Sequence, residues 1–253
     1  MLVVVTLAMR AEFASWRRLR SFRQSVNGSV PTYCAHVRDV GVRVVLTGVG
    51  QLAATAAAEA IFHDRPDACI ASGLAGGLNE GLRVAEIIAG AAVRGDDGRS
   101  VEGDPRLLAL ALREGASSAS IYSSPAVVVR AAGKRRLREV GDAVDMESAA
   151  ILGESARRGI PGIAIRAISD SSTVDLPLDF NKMLTDRGRF SPARTIAVVA
   201  RRPQAVPQLV RLGLDGRRAA MALTAFLDHY VERLGEALGR AKQIDRGGKG
   251  QEP

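Results

Sequence analysis

Two carboxylates in residues 143–170, AVDMESAAILGESARRGIPGIAIRAISD, offer the chain its clearest chemistry. Glu147 stands where a helix begins and Asp170 just past the end of a strand. Ligands of open α/β sheets bind at the carboxyl ends of the strands, so Asp170 stands where a ligand would bind. Two glycine turns, Gly48-Val49-Gly50 and Gly73-Leu74-Ala75-Gly76-Gly77, let backbone approach a ligand closely, and the first opens a helix whose amino end suits an anion. Each has a plainer reading: Asp170 as a turn cap, Glu147 as a first-turn carboxylate favoured by the helix dipole, the glycines as close-packing devices. The residues by themselves point to a small-molecule site in an α/β enzyme and leave its reaction open.

The surrounding pattern supplies the elements that must position these groups. Apolar runs at residues 2–6, 67–72, 87–93 and 162–168 are short and rich in branched side chains, as buried strands are, and residues 120–129 are strand-like. Residues 33–38 and 42–47 form a hairpin through 39–41. Helices are predicted at 8–22, 51–63, 107–114, 134–140, from Ser148 to a stop at Gly159-Ile160-Pro161, and at 192–200 and 207–241. Residues 94–105 read as an exposed connection and 171–180 as a loop able to fold over a site. Strands alternating with helices give the α/β class, a single-domain three-layer α/β/α sandwich with a mixed, mostly parallel central sheet. The domain spans residues 1–241, with basic helices from about 192, and residues 242–253 form a disordered tail.

The 253 residues and 47% hydrophobic content suffice for one substantial core. Cys34 and Cys69 stand alone, so neither a disulfide framework nor a metal site is indicated, and a reducing cytoplasm fits. The net charge is +8, with ten Lys/Arg against five Asp/Glu between Arg201 and Lys249. That surplus suits a solvated helix face or an anionic membrane surface. Aromatic residues make up only 4% and no stacking platform or recognition helix is present, which argues against nucleic acid.

The motifs Ala-Val-Asp-Met-Glu-Ser-Ala-Ala, Arg-Ala-Ile-Ser-Asp and, upstream, Ser-Gly-Leu-Ala-Gly-Gly-Leu resemble those of the nucleoside phosphorylase and methylthioadenosine/S-adenosylhomocysteine nucleosidase superfamily. The resemblance implies a nucleoside phosphorylase-like fold and cleavage of an N-glycosidic bond. It implies that Glu147 holds the ribose hydroxyls, that Met146 packs on the sugar, that Val127, Val128 and Ser169 line the base pocket, and that Asp170 protonates the purine at N7. An oxocarbenium-like transition state needs the departing base neutralised, which is the physical reason for an acid there. Glu12 falls where the nucleosidases keep the glutamate that activates water, and Arg10 where phosphorylases place a phosphate-binding arginine. Gly48, Gly50, Gly73 and Gly76 would offer backbone N–H groups to phosphate or water. Leu74 departs from the small hydroxyl residue many relatives carry in that glycine segment.

Hydrolysis and phosphorolysis therefore both remain open, with no cofactor and with inorganic phosphate as co-substrate in the second case. After Asp170, Arg201-Arg202-Pro203, residues 204–212 and Asp215-Gly216-Arg217-Arg218-Ala219-Ala220 are similar to the tail of the hopanoid-associated phosphorylases. That resemblance implies adenosylhopane as substrate, with a soluble methylthioadenosine/S-adenosylhomocysteine nucleosidase or a catalytically silent nucleoside-binding homologue as alternatives. Superfamily resemblance implies a homo-oligomer; for a cytoplasmic protein with a lipid-bearing substrate, Leu209, Leu212, Leu214, Met221, Leu223 and Phe226 of the basic helices suit either peripheral contact with the membrane surface or packing on the sheet or another subunit.

Overall fold

The computed structural model describes residues 1–25, 30–185 and 188–247, with side chains described as far as residue 237. Its centre is β5 (Ala68–Gly77), which pairs in parallel with β1 (Leu2–Leu7) on one side and with β10 (Gly162–Asp170) on the other. Beyond β1 lie β4 (Val40–Leu46), β3 (Thr32–Val37) and the short β2 (Arg23–Gln24). Beyond β10 lie β6 (Ile87–Gly95), β8 (Ser117–Ser123) and β9 (Ala143–Asp145), while β7 (Ser100–Glu102) pairs with β6 alone. Because β9 returns to pair with the end of β5 at Gly76 and Gly77, the strands β5, β10, β6, β8 and β9 close on themselves as a small barrel. The two longest ladders, β5–β10 and β6–β8, are parallel, within a mixed sheet.

Helices cover both faces, as the alternating pattern requires. Phe13 and Trp16 of α1 (Arg10–Leu19), Leu107 and Leu110 of α4 (Pro105–Arg113) and Leu223, Leu227 and Tyr230 of α8 (Val206–Gly247) share one apolar cluster with the sheet. Ala54 of α2 (Gln51–Ala56), Ile61 and Phe62 of α3 (Ala58–Phe62), and Ile151 and Leu152 of α6 (Ser148–Arg157) fill the other face. α8 is tied across the first face: the Trp16 indole donates to Asp228 at 2.9 Å, Arg20 pairs with the same carboxylate, and the Tyr230 hydroxyl donates to Leu107 O at 2.9 Å. The remaining helices are α5 (Ala131–Leu137) and α7 (Pro192–Ala200).

Several expectations shift. Residues 73–77 are not a turn but the second half of β5, because the barrel needs a long strand there and the absent side chains let β9 and β10 approach. The strand predicted at 120–129 starts at Ser117 and stops at Ser123, leaving Val127 and Val128 on a loop. The connection 94–105 contains β7, formed by a turn at Gly98, where φ is +78°. Asp170 is the last residue of β10 rather than a position beyond it. Leu19, near the end of α1, is exposed, whereas Phe13 and Trp16 of the same helix are buried. Of the predicted tail, residues 242–247 continue α8 and residues 248–253 lie outside the described residues. Among the described residues no helix is long and apolar enough to cross a membrane.

Candidate active site

A cavity of about 300 Å³ opens where β1, β5, β9 and β10 end. Glu12, Gly76, Val127, Val128, Met146, Glu147, Ser169 and Asp170 line it, so residues spread over the first two thirds of the chain meet at one place. Gly48, Gly50, Gly73 and Arg10 are not among its lining residues; Arg10 lies exposed in a separate groove with Arg17, Arg18 and Tyr33.

Beneath the cavity floor lies a cluster of buried charges. Arg166, in mid-β10 and 1% exposed, donates to the Ser148 hydroxyl at 2.8 Å and to Ser72 O at 3.0 Å. It also forms an ion pair with Asp145 and lies 3.7 Å from Glu147. Asp145 accepts from the Ser123 hydroxyl at 2.5 Å and from Ser148 N at 3.2 Å, which turns the chain from β9 into α6 and fixes Glu147 between them. Gly73 follows from this cluster: its φ is +143°, and a Cβ there would stand 2.5 Å from Arg166 Nη1 and 3.2 Å from Glu12 Oε1.

Glu147 Oε1 accepts from Gly50 N at 2.7 Å, so the glycine turn after β4 serves the carboxylate rather than an anion. Gly50 has φ of +94°, a backbone conformation that favours glycine, while a Cβ there would make only ordinary contact with Met146, at 3.6 Å. Burial pushes Glu147 up to about 7 from 4.5, an effect that Arg166 opposes and Asp145 reinforces. Glu12, near the start of α1, is also buried and raised; its Oε2 accepts from Met9 N at 3.0 Å and its Oε1 from Leu74 N at 3.1 Å. A carboxyl raised on folding binds more protons in the native than in the unfolded state, so stability falls as pH rises from the unfolded to the folded value. Glu147→Gln removes one such group. We expect the decline in thermal midpoint between about pH 4.5 and 7 to become shallower in that variant, with Glu12 leaving a residual slope. Parallel pH series of melting curves check this.

Asp170, which also lines the cavity, is held from both oxygens. The Ser169 hydroxyl lies 2.6 Å from Oδ1, and the Lys134 ammonium donates to Oδ2. The loop 171–180 closes over this wall as its hydroxyls and carboxylates suggest. Asp175 accepts from Ala131 N at 2.7 Å at the start of α5, Leu176 N donates to Val129 O at 2.8 Å, and the Asn181 amide clamps both backbone groups of Val127. Leu176, Phe180, Phe190 and Leu212 then give the remaining wall an apolar surface.

Sequence reasoning missed Arg166, Lys134 and Asp145. A charged residue inside the apolar run 162–168 is itself a signal, since arginine is buried only when paired. Lys134 falls three positions after Ala131 and three before Leu137, on the inward face of its helix, and that spacing separates it from its exposed neighbours Arg135 and Arg136.

This architecture is shared with known proteins. It is similar to the 5′-methylthioadenosine/S-adenosylhomocysteine nucleosidase of Campylobacter jejuni, at 16% identity and a TM-score of 0.72 over 92% of this chain and 99% of that one. The corresponding Neisseria meningitidis nucleosidase, in complex with methylthio-immucillin-A, gives 21%, 0.70, 92% and 99%. Helicobacter pylori futalosine hydrolase gives 17%, 0.72, 92% and 98%. The family model described as the phosphorylase superfamily matches residues 3–200, most of the chain. The chain belongs to the phosphorylase superfamily.

Proposed function

We propose that the protein cleaves the N-glycosidic bond of an adenine nucleoside that carries an apolar 5′ substituent, adenosylhopane in the reading that its tail supports. The observation that carries this is the cavity itself, lined by both Asp170 and Glu147 and by the apolar side chains of Leu176, Phe180, Phe190 and, from α8, Leu212. Glu147 anchors the ribose hydroxyls, Met146 packs on the sugar, Val127 and Val128 bracket the base, and Asp170, aligned by Ser169, protonates N7 as the bond breaks. Protonation at N7 neutralises the negative charge that the C1′–N9 electron pair brings to the base, which lowers the barrier of an oxocarbenium-like step.

Water rather than phosphate is the favoured acceptor. Glu12 lines the cavity, and burial raises its carboxylate's affinity for a proton, which suits a base that takes a proton from water. The groups that would hold phosphate are otherwise engaged: Gly50 N serves Glu147, Gly73 and Gly76 belong to a paired strand, and Arg10 faces another groove. Leu74 adds an apolar surface where many relatives carry a hydroxyl, and only its backbone N–H contacts Glu12. A methylthioadenosine/S-adenosylhomocysteine nucleosidase is the second reading, favoured by the similarity to the two bacterial nucleosidases.

Incubation with adenosine, methylthioadenosine and adenosylhopane, with and without phosphate, separates these. Adenine released fastest from the lipid nucleoside and independently of phosphate is expected. Release from methylthioadenosine alone supports the second reading, and no adenine from any substrate overturns both.

A cytoplasmic homo-oligomer that touches the inner membrane surface completes the proposal. Leu223 and Phe226 pack on the core and Leu209 on a small cluster around Leu178 and Met183. Val206, Val210, Leu214 and Met221 instead form an exposed stripe on α8, flanked by Arg211, Arg217 and Arg218. Flotation with anionic and neutral liposomes tests this contact. Capture by the anionic vesicles that Leu214→Glu abolishes is the expected result, and indifference to vesicle charge refutes it.

A further inference from the structure

We propose that Lys134 stores the proton that Asp170 delivers to the leaving base, an inference that rests on the reading of Asp170 as the acid. Lys134 is 1% exposed, and its stem crosses from α5 to the cavity wall. Its three N–H groups have three acceptors: Asp170 Oδ2, Ser171 O at 2.6 Å and Val174 O at 3.4 Å. Burying an ammonium costs several kcal/mol unless it is well paired, and here the partner is the one carboxylate that the reaction needs protonated.

A carboxylate next to a permanent cation stays ionised and has no proton to give. The site holds one pair of that permanent kind, Arg166 with Asp145, in which the guanidinium keeps its protons. The pair at Asp170 is built instead from lysine, which has a neutral amine form that a guanidinium lacks in proteins. The transfer balances in two steps. Lys134 passes a proton to Asp170 Oδ2, leaving a neutral amine beside a carboxylic acid. Asp170 then gives that proton to N7 as the C1′–N9 bond breaks and its electron pair moves onto the base, while the proton of the attacking water goes to Glu12. The amine regains a proton from solvent once the product leaves.

The charged groups around the pair are few. On α5 and its start, Arg130, Arg135 and Arg136 are exposed; on the covering loop, Asp175 is held by Ala131 N; toward the sheet stand Glu12, Asp145, Glu147 and Arg166. Among the described residues Asp170 is the one carboxylate that Lys134 pairs with, so its proton has one carboxylate to go to.

Lys134→Met keeps the stem and removes the proton; Lys134→Arg keeps the charge and withholds the proton. Adenine release is measured for both, with Asp170→Asn and wild type, over about pH 5 to 9 on whichever of adenosine, methylthioadenosine and adenosylhopane turns over fastest. For Lys134→Met we expect kcat to fall about 100-fold near pH 8 and the deficit to shrink toward pH 5, as solvent supplies protons more readily, with KM within about 3-fold. Lys134→Arg should fail across the whole range. A Lys134→Met profile parallel to wild type, or wild-type turnover by Lys134→Arg, overturns the proposal; the arginine variant alone decides if the methionine variant does not fold. Wild-type turnover by Asp170→Asn would instead remove the acid assignment itself.

Discussion

Arg166→Met should cost about 3–5 kcal/mol of folding stability, because the arginine is the only buried cation among Glu12, Asp145 and Glu147 in the cluster the structure describes. Methionine fills much of the volume, so the loss comes from charge: Asp145 forfeits its ion pair, and Glu147 and Glu12, already raised by burial, lose the group that holds them down. The linkage sign gives a second signature. Removing the cation raises both glutamates further, so the native state binds still more protons than the unfolded one, and the deficit grows with pH. Urea midpoints near pH 5 and pH 8 measure it. A loss equal at both values would show that packing, not charge, is what Arg166 supplies. A total stability of about 5–15 kcal/mol makes this variant marginal at the higher pH.

Asp170→Asn should lower turnover by about 10²–10⁴-fold while leaving nucleoside binding within a few-fold of wild type. The amide is close in shape to the carboxyl, its oxygen can still accept from Lys134, and the Ser169 contact survives in altered form. What is lost is a transferable proton at the end of β10. Single-turnover adenine release together with calorimetric binding of the nucleoside separates the two effects. If both fall together, Asp170 holds substrate rather than driving the chemistry.

The layer order and most helices were legible because burial imposes its period directly: the apolar runs at 2–6, 67–72 and 162–168 became β1, β5 and β10. Glycine misled at 73–77, since the same absence of a side chain serves a turn or a strand approached closely by others, and only tertiary pairing decides. Motif spacing placed Glu12, Met146, Glu147 and Asp170 at the cavity, yet it carried no information on what holds them. Arg166 and Lys134 act through contacts with Ser72 O, Ser148, Ser171 O and Val174 O, and such partners become neighbours only after the sheet forms. The glycine turn at 48–50 was found and its partner misassigned, because Glu147 lies 97 positions away in sequence.

The strand closure has a consequence for how the chain is made. β5 must wait until β10 has been synthesised, because Gly162 pairs with Cys69 and Ile168 with Ala75. During translation one edge of β5, with its row of unpaired N–H and C=O groups, therefore stands open to solvent or to other chains while some 90 residues are added. Pairing at such separation carries a loop-closure cost and slows folding. The small residues of residues 71–77, ASGLAGG, offer little hydrophobic surface for a stray strand to grip during that interval. The property that lets β9 and β10 close the barrel thus also limits misassembly of the nascent chain.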